Sequence, residues 1–249
     1  MANLFVFGLL TAIAAASIRW KKLTVPAALT GGVLGGIIYA GAGFTGLGML
    51  GAFFILGTAA TAWRREDKRG LPGKDAHQST RRTGQVLANG GVAALAAGLI
   101  LLCPKALYPK AAPLLMIMLA ASLASATADT LSSELGSVYG RRYYNILNGR
   151  PDQKGLDGVV SVEGLLIGVA GAALIAALLI LRNAAPSDYL IVVAAGTIGN
   201  ISDSILGATL ERKGYIGNDV VNFLNTLIAA IAAGIIYHCC SPFVSITPM

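Results

Sequence analysis

Apolar residues dominate this chain in long runs separated by short polar breaks, and the spacing of the breaks predicts its elements. Runs near the ~20 residues that cross a hydrocarbon core predict eight helices: Asn3 to Ser17, Val25 to Ala42, Leu47 to Trp63, Gln85 to Cys103, Ala111 to Gly136, Gly158 to Leu181, Tyr189 to Glu211 and Asp219 to Tyr237. No stretch reads as a soluble domain. The expected fold is therefore all-α, a polytopic membrane helix bundle of about eight transmembrane helices forming one integral-membrane domain over residues 1–249. The first run has neither a basic segment before it nor a small-residue cleavage site after it, which speaks against a removable signal peptide.

The few polar positions inside the runs are spaced three or four apart, so they share helix faces. Asn200, Asp203, Gly207 and Glu211 form one stripe, Asn218, Asn222 and Asn225 a second, and Arg81, Gln85 and Asn89 a third. Asp129 carries Ser125, Ser132 and Ser133 on its own side of the fifth predicted helix. A carboxylate facing hydrocarbon is costly, so such stripes must face one another or water. They predict a polar pocket.

Composition supports lipid as the solvent. The chain is 55% hydrophobic and only 12% charged, with a mean hydropathy of +0.69. Charge then orients it, because Lys and Arg accumulate in cytoplasmic loops. Of nineteen basic residues, sixteen fall in the loops after the first, third, fifth and seventh predicted helices, and only Lys105, Lys110 and Arg182 fall on the other side. Both termini are expected outside the cytoplasm, in an inner or plasma membrane. The net charge of +7 is then mostly an orientation signal and calls for no nucleic acid.

With this orientation Asp129, Glu134, Glu163, Asp203, Glu211 and Asp219 all lie toward the cytoplasmic leaflet. Glu134, Glu211 and Asp219 read equally well as solvated loop ends, and the Ser and Asn positions as glue between helices. Asp129 and Asp203 lie deeper among small residues, which favours a functional role. A short internal similarity links them: "ADTL" (128–131) resembles "SDSI" (202–205), and "VVSVEGLLI" (159–167) resembles "VVNFLNTLI" (220–228). It suggests a parallel repeat of helices 5-6 and 7-8 that sets Asp129 opposite Asp203 and Ser161 opposite Asn222. Facing carboxylates with amide and hydroxyl oxygens nearby suit a hard cation such as Mg²⁺. "GAGFTG" (41–46) matches a nucleotide-binding glycine pattern literally, but it lies between two predicted spans and reads as a turn. The two histidines and three cysteines make no metal constellation.

Five segments in order, "TRRTGQVLANGGVAAL", "ASATADTLSSELG", "GLDGVVSVEGLLIG", "GTIGNISDSILGATLE" and "NDVVNFLNT", resemble the integral-membrane family that includes animal transmembrane protein 19 and the phytyl-phosphate kinase of chloroplasts and cyanobacteria. The resemblance spans nearly the whole chain. It implies phosphorylation of a prenyl (phytyl) monophosphate to the diphosphate with CTP or another nucleoside triphosphate. On that reading Asp129 and Asp203 hold Mg²⁺ and, with Glu134, form the catalytic set. Lys74, Arg81, Arg82 and Arg141 bind phosphates. Gln85, Asn89, Ser133, Ser161, Glu163, Asn200, Asp219, Asn222 and Asn225 line the nucleotide and substrate sites. The partners are the bilayer, the prenyl phosphate and the nucleotide, and an oligomer is compatible with the sequence. An ion-coupled carrier of an anionic substrate is the alternative, since repeated hairpins and intramembrane acids suit transport too.

Overall fold

The computed structural model describes residues 2–71, 80–103, 111–179 and 184–244. Its elements in order are α1 (Ala2–Arg19), α2 (Val25–Ala62), a 3₁₀ turn (Arg65–Lys68), α3 (Thr83–Leu102), α4 (Ala111–Tyr139), strands β1 (Tyr144–Asn145) and β2 (Val159–Val160), α5 (Val162–Ala177), α6 (Pro186–Leu206), a π turn (Gly207–Glu211) and α7 (Asn218–Val244). The protein is thus a polytopic helical membrane protein. Five of its helical segments are long and apolar enough to cross a membrane: Val25–Ala62, Thr83–Leu102, Ala111–Tyr139, Pro186–Glu211 and Asn218–Cys240. Asn3–Arg19 and Val162–Ala177 are apolar but shorter.

The helix starts follow local chemistry. Thr24 caps α2, its hydroxyl accepting from the Ala27 amide, with a proline in the first turn. The Gln85 side chain accepts from the Arg82 amide at 2.9 Å ahead of α3. Ser161 caps α5 through the Gly164 amide at 3.1 Å.

Seven α-helices stand among the described residues where eight are expected. The difference lies in α2, which joins the second and third expected runs into 38 residues. Its helical geometry breaks at Gly43, with φ 66° and ψ −157°, a backbone state open to glycine and costly for other residues. The two halves fold back on each other. A Cβ on Gly35 would lie 3.7 Å from the Leu50 side chain, although fifteen residues of straight helix span about 22 Å. Phe54 likewise packs on the Ala27 and Ala28 cluster. The "GAGFTG" segment is therefore a reversal. Gly41 within it abuts the backbone of Ala97 on α3, where any Cβ would collide with the Ala97 carbonyl.

Around these hairpins α4 is the axis. It contacts α2, α3, α5, α6 and α7, and 67% of its most apolar stretch is buried, against 33–39% in the other spans. Small residues allow that centrality: Ala120, Ala121, Ala124, Ala126 and Ala128 are fully buried beside Leu119 and Leu123. The outer faces carry the large side chains, with Leu29, Phe44, Ile55, Leu95, Leu166, Leu190 and Ile235 exposed. That inside-out distribution is the one lipid permits.

The sixth expected helix starts later than its sequence suggests. Gly158 takes φ 73°, and Val159–Val160 pairs antiparallel with Tyr144–Asn145. Residues expected at the start of a span thus form a small hairpin, and α5 begins only after the Ser161 cap. The expected end of that helix at Leu181 lies outside the described residues.

Candidate functional site

The C-terminal ends of α2, α4 and α6 and the N-terminal ends of α3, α5 and α7 converge on one polar cavity of about 690 Å³, within the range of small-molecule sites. The predicted residues Arg81, Gln85, Asn89, Asp129, Ser133, Glu134, Ser161, Asn200, Asp203 and Asn222 all line it. The convergence follows from the stripes: each polar face has nowhere else to turn in an apolar surround.

Within it, the Asp129 and Asp203 carboxyl groups lie against each other, joining α4 to α6. Asn225 donates its Nδ2 to Asp203 Oδ1 at 2.6 Å, and its own Oδ1 accepts from Ser125 Oγ at 3.1 Å. Asn225 is completely buried and does not line the cavity; it orients the Asp203 carboxylate from behind. Two carboxylates in contact require a proton or a cation between them.

Two further amides are incompletely satisfied. Asn200 is 2% exposed and its Nδ2 has no hydrogen-bond partner among the described residues; Asn222 is 7% exposed and its Oδ1 has none. The Asn222 Nδ2 donates to Asn218 Oδ1 at 3.0 Å, which directs its carbonyl oxygen away from Asn218. Buried polar atoms are normally paired. A donor and an acceptor left over on one cavity wall suit a ligand carrying both anionic oxygens and a cation. The carboxylates of Asp129 and Asp203 fit Mg²⁺, which takes one or two carboxylates and completes its shell with water and phosphate. Among the described residues no group of three His, Cys, Asp or Glu forms a ready-made metal cluster.

The cationic groups come from the loops. Arg81 is tied by its backbone to the segment after α1, its amide donating to Lys22 O at 2.9 Å and its carbonyl accepting from Thr24 N at 3.1 Å. Its guanidinium lies 5.2 Å from the Phe53 ring and 5.9 Å from that of Phe54. Gly57 leaves room for it, since a Cβ there would stand 2.5 Å from Nη2. Burial lowers the Arg81 pKa and nearby Glu134 raises it, but an arginine keeps its charge. Lys22, Arg65 and Lys154 join Arg81 on the cavity lining.

Glu134 is on the cavity wall with a buried partner. Lys68 Nζ lies 2.6 Å from Glu134 Oε2 and also donates to the Ala60 and Thr61 carbonyls at 2.9 and 3.0 Å. This ammonium closes the C-terminal end of α2, whose last carbonyls lack helical donors, and ties it to α4.

Several predicted residues stand apart from the cavity. Arg82 is exposed. Arg141 is exposed too, and it is its backbone amide that meets Glu163 Oε2 at 3.4 Å. The Asp219 carboxylate abuts Gly84 at the start of α3, where a helix N-terminus favours an anion. Lys74 lies outside the described residues.

The segment between α4 and α5, from which the sequence suggests only Arg141 and Ser161, also supplies Tyr143, Lys154 and Asp157 to the lining. Tyr143 donates its hydroxyl to the Gly136 and Gly140 carbonyls at 3.0 and 2.9 Å, and Lys154 Nζ lies 5.7 Å from its ring. Gly158 is pressed against Ala208 in the π turn, with no space for a Cβ. Burial pushes the Asp157 carboxyl up, opposed by Arg212. The glycines around Asp157 in "KGLDGVV" were the available signal for a tightly docked acid.

These features define a class: a membrane-embedded helical protein with a polar, mixed-charge cavity at one end of its bundle. The family described as Integral membrane protein DUF92 matches residues 8–230, and the chain belongs to it. The chain is similar to an uncharacterized membrane protein of Methanocaldococcus jannaschii, 32% identical over 95% of both chains. A second uncharacterized membrane protein, from Synechocystis, is 33% identical over 90% of this chain and 86% of its own. Protein VTE6, chloroplastic, of Arabidopsis thaliana is 28% identical over 81% of this chain and 61% of its own. No solved structure matches the chain.

The loop over the cavity is anchored by an ion pair, Arg212 Nη1 to Asp152 Oδ2 at 2.8 Å. The Arg212 hydrogen bond first, then those from the Gln153 amide and Asn145, hold the Asp152 carboxyl well below the usual carboxylate range. A depressed folded-state pKa means that the pair contributes in full above the ordinary Asp range and is lost only as pH falls through the depressed value. The loop should stay docked through neutral and mildly acidic pH. D152N should speed amide exchange across Tyr143 to Asp157 by about tenfold near neutral pH while the spans keep their protection; hydrogen exchange by mass spectrometry measures this, and an unchanged loop would show that the anchor lies elsewhere.

Proposed function

We propose that this protein is a membrane-embedded kinase that converts a prenyl monophosphate to the diphosphate, using CTP or another nucleoside triphosphate with Mg²⁺. The carrying observation is the Asp129–Asp203 contact in a cavity that also presents Lys22, Arg65, Arg81 and Lys154. The family resemblance to phytyl-phosphate kinase supplies the substrate class. Phosphoryl transfer depends on positioning and charge neutralisation more than on a strong base. A cavity rich in carboxylates, cations and amides suits that requirement.

In this reading Asp129 and Asp203 hold the metal, which on binding neutralises phosphate charge. Asn225 keeps Asp203 aimed at the cavity, and the free Asn200 Nδ2 donates to a phosphate oxygen. Arg81, packed against the Phe53 and Phe54 rings, and Lys154, over Tyr143, receive phosphate groups. An oxygen of the prenyl phosphate attacks the terminal phosphorus of the nucleotide, the new P–O bond forms, and the bond to the departing nucleoside diphosphate breaks. The attacking phosphate is already anionic and needs no general base. Glu134, held by Lys68, acts as the support that keeps α2 and α4 together beside the site.

Purified protein in detergent with radiolabelled CTP or ATP, Mg²⁺ and prenyl phosphates of several lengths tests the reading. Prenyl diphosphate should form without any gradient, and D129N or D203N should each lower the rate by about a hundredfold or more, as losses of transition-state charge stabilisation do. Full activity in both variants would remove the pair from the mechanism. Transport across vesicles with no phosphate transferred would replace the kinase by a carrier.

The cavity is proposed to open to the cytoplasm in an inner or plasma membrane, with both halves of α2 crossing the bilayer, eight spans in one domain, and both termini outside. Each half of α2 is about 27 Å long at helical rise, close to the hydrocarbon thickness. Single cysteines introduced at Arg19 and Arg65 should react with an impermeant thiol reagent only from the cytoplasmic side, and one at Phe44 only from the opposite side. Labelling of Phe44 and Arg65 from the same side would mean that the second half of α2 does not cross.

A further inference from the structure

We propose that Asp157 and Glu211, with the side-chain carbonyl oxygen of Asn222, form a second divalent-cation site beside the Asp129–Asp203 pair. Its role rests on the phosphotransfer reading; its existence does not.

Three observations converge on it. The loop carrying Asp157 is locked onto the π turn that carries Glu211: Gly158 abuts Ala208, and a Cβ on Gly207 would lie 3.6 Å from that of Asp157. Both carboxylates line the cavity, and Asp157 acts electrostatically on both Glu211 and Asp203. The fold therefore holds like charges together where separation would relieve repulsion. Arg212, the nearby cation, spends its hydrogen bonds on Asp152 at 2.8 and 3.5 Å.

Asn222 supplies the independent pointer to a ligand. Asn218 Oδ1 accepts from Asn222 Nδ2 at 3.0 Å, and Asn218 and Glu211 both line the cavity. The Asn222 Oδ1 is left buried with no donor among the described residues, on a residue of the same lining. A carbonyl oxygen oriented beside acidic groups is a hard-cation ligand.

Charge gives the site a purpose. With the Lys68–Glu134 pair set aside, the four basic side chains on the lining are matched by the four carboxylates of the two pairs. A nucleoside triphosphate and a prenyl phosphate together bring about six negative charges, which these walls do not offset. One divalent cation removes two of the six. A second cation on the loop side would bring the bound state closer to neutrality, as paired metals do in other phosphoryl-transfer sites.

Mn²⁺ alone, titrated into the full-length protein in detergent and counted by electron paramagnetic resonance, tests the proposal without nucleotide or lipid. The parent should bind two Mn²⁺ per chain. The D157N/E211Q double variant should bind one, and the D129N/D203N double variant should also bind one. E211Q alone keeps the shape and should weaken one site by about tenfold; it decides the matter if the double variant does not fold. A parent that binds a single Mn²⁺, or an E211Q variant with both affinities unchanged, overturns the proposal. Two bound Mn²⁺ in a preparation that transfers no phosphate would uphold the cation site and remove the kinase reading.

Discussion

A carboxylate on an apolar helix is expensive until it finds a partner, and the arrangement of this bundle follows from where Asp129 and Asp203 find theirs. They meet each other. That contact joins α4, the axis of the fold, to α6, and Asn225 on α7 completes it through Ser125. Small residues make the approach feasible: Gly199 leaves room for Ser125, and Gly168 for Asn200. The polar site and the close helix packing are thus one construction, in which a larger residue at either glycine would push the carboxylates apart.

The loops complete the site from outside. Arg81 is fixed by a backbone exchange with Lys22 and Thr24 and by two phenyl rings, Lys68 fastens the end of α2 to Glu134, and Asp152–Arg212 anchors the segment over the cavity. Anchored charges cost little reorganisation when an anion binds, which makes electrostatic stabilisation effective. In the proposed function the basic loops serve two roles, orientation in the membrane and phosphate binding.

Much of the site was legible because helical periodicity assigns faces and charge assigns depth. The stripes Asn200–Asp203 and Gln85–Asn89 do converge on the cavity with Asp129. Asn225, on the same stripe as Asn222, lies one layer behind, because spacing cannot distinguish a lining residue from its support. The residues that escaped depend on long-range docking. Lys68 looked like one more orientation charge until its partner, 66 positions away, was in view. Asp157 and Lys154 reach the cavity only because Gly158 and Asp152 fasten their loop to the far end of α6. The Gly43 reversal was read correctly as a turn, but its tightness, a single non-helical residue, was not visible in hydropathy.

Everything in the proposed mechanism turns on Asp129 and Asp203 as one cation-holding site for phosphate within the polar cavity. The most direct measurement is an electron cryo-microscopy structure of the full-length protein with Mg²⁺ and a non-hydrolysable nucleoside triphosphate. The account predicts metal density bridging the two carboxylates, with the terminal phosphate within hydrogen-bonding reach of Asn200 Nδ2 and the phosphate chain running toward Arg81 and Lys154. Nucleotide bound away from this cavity, or metal density absent between Asp129 and Asp203 while the nucleotide is in place, would contradict it.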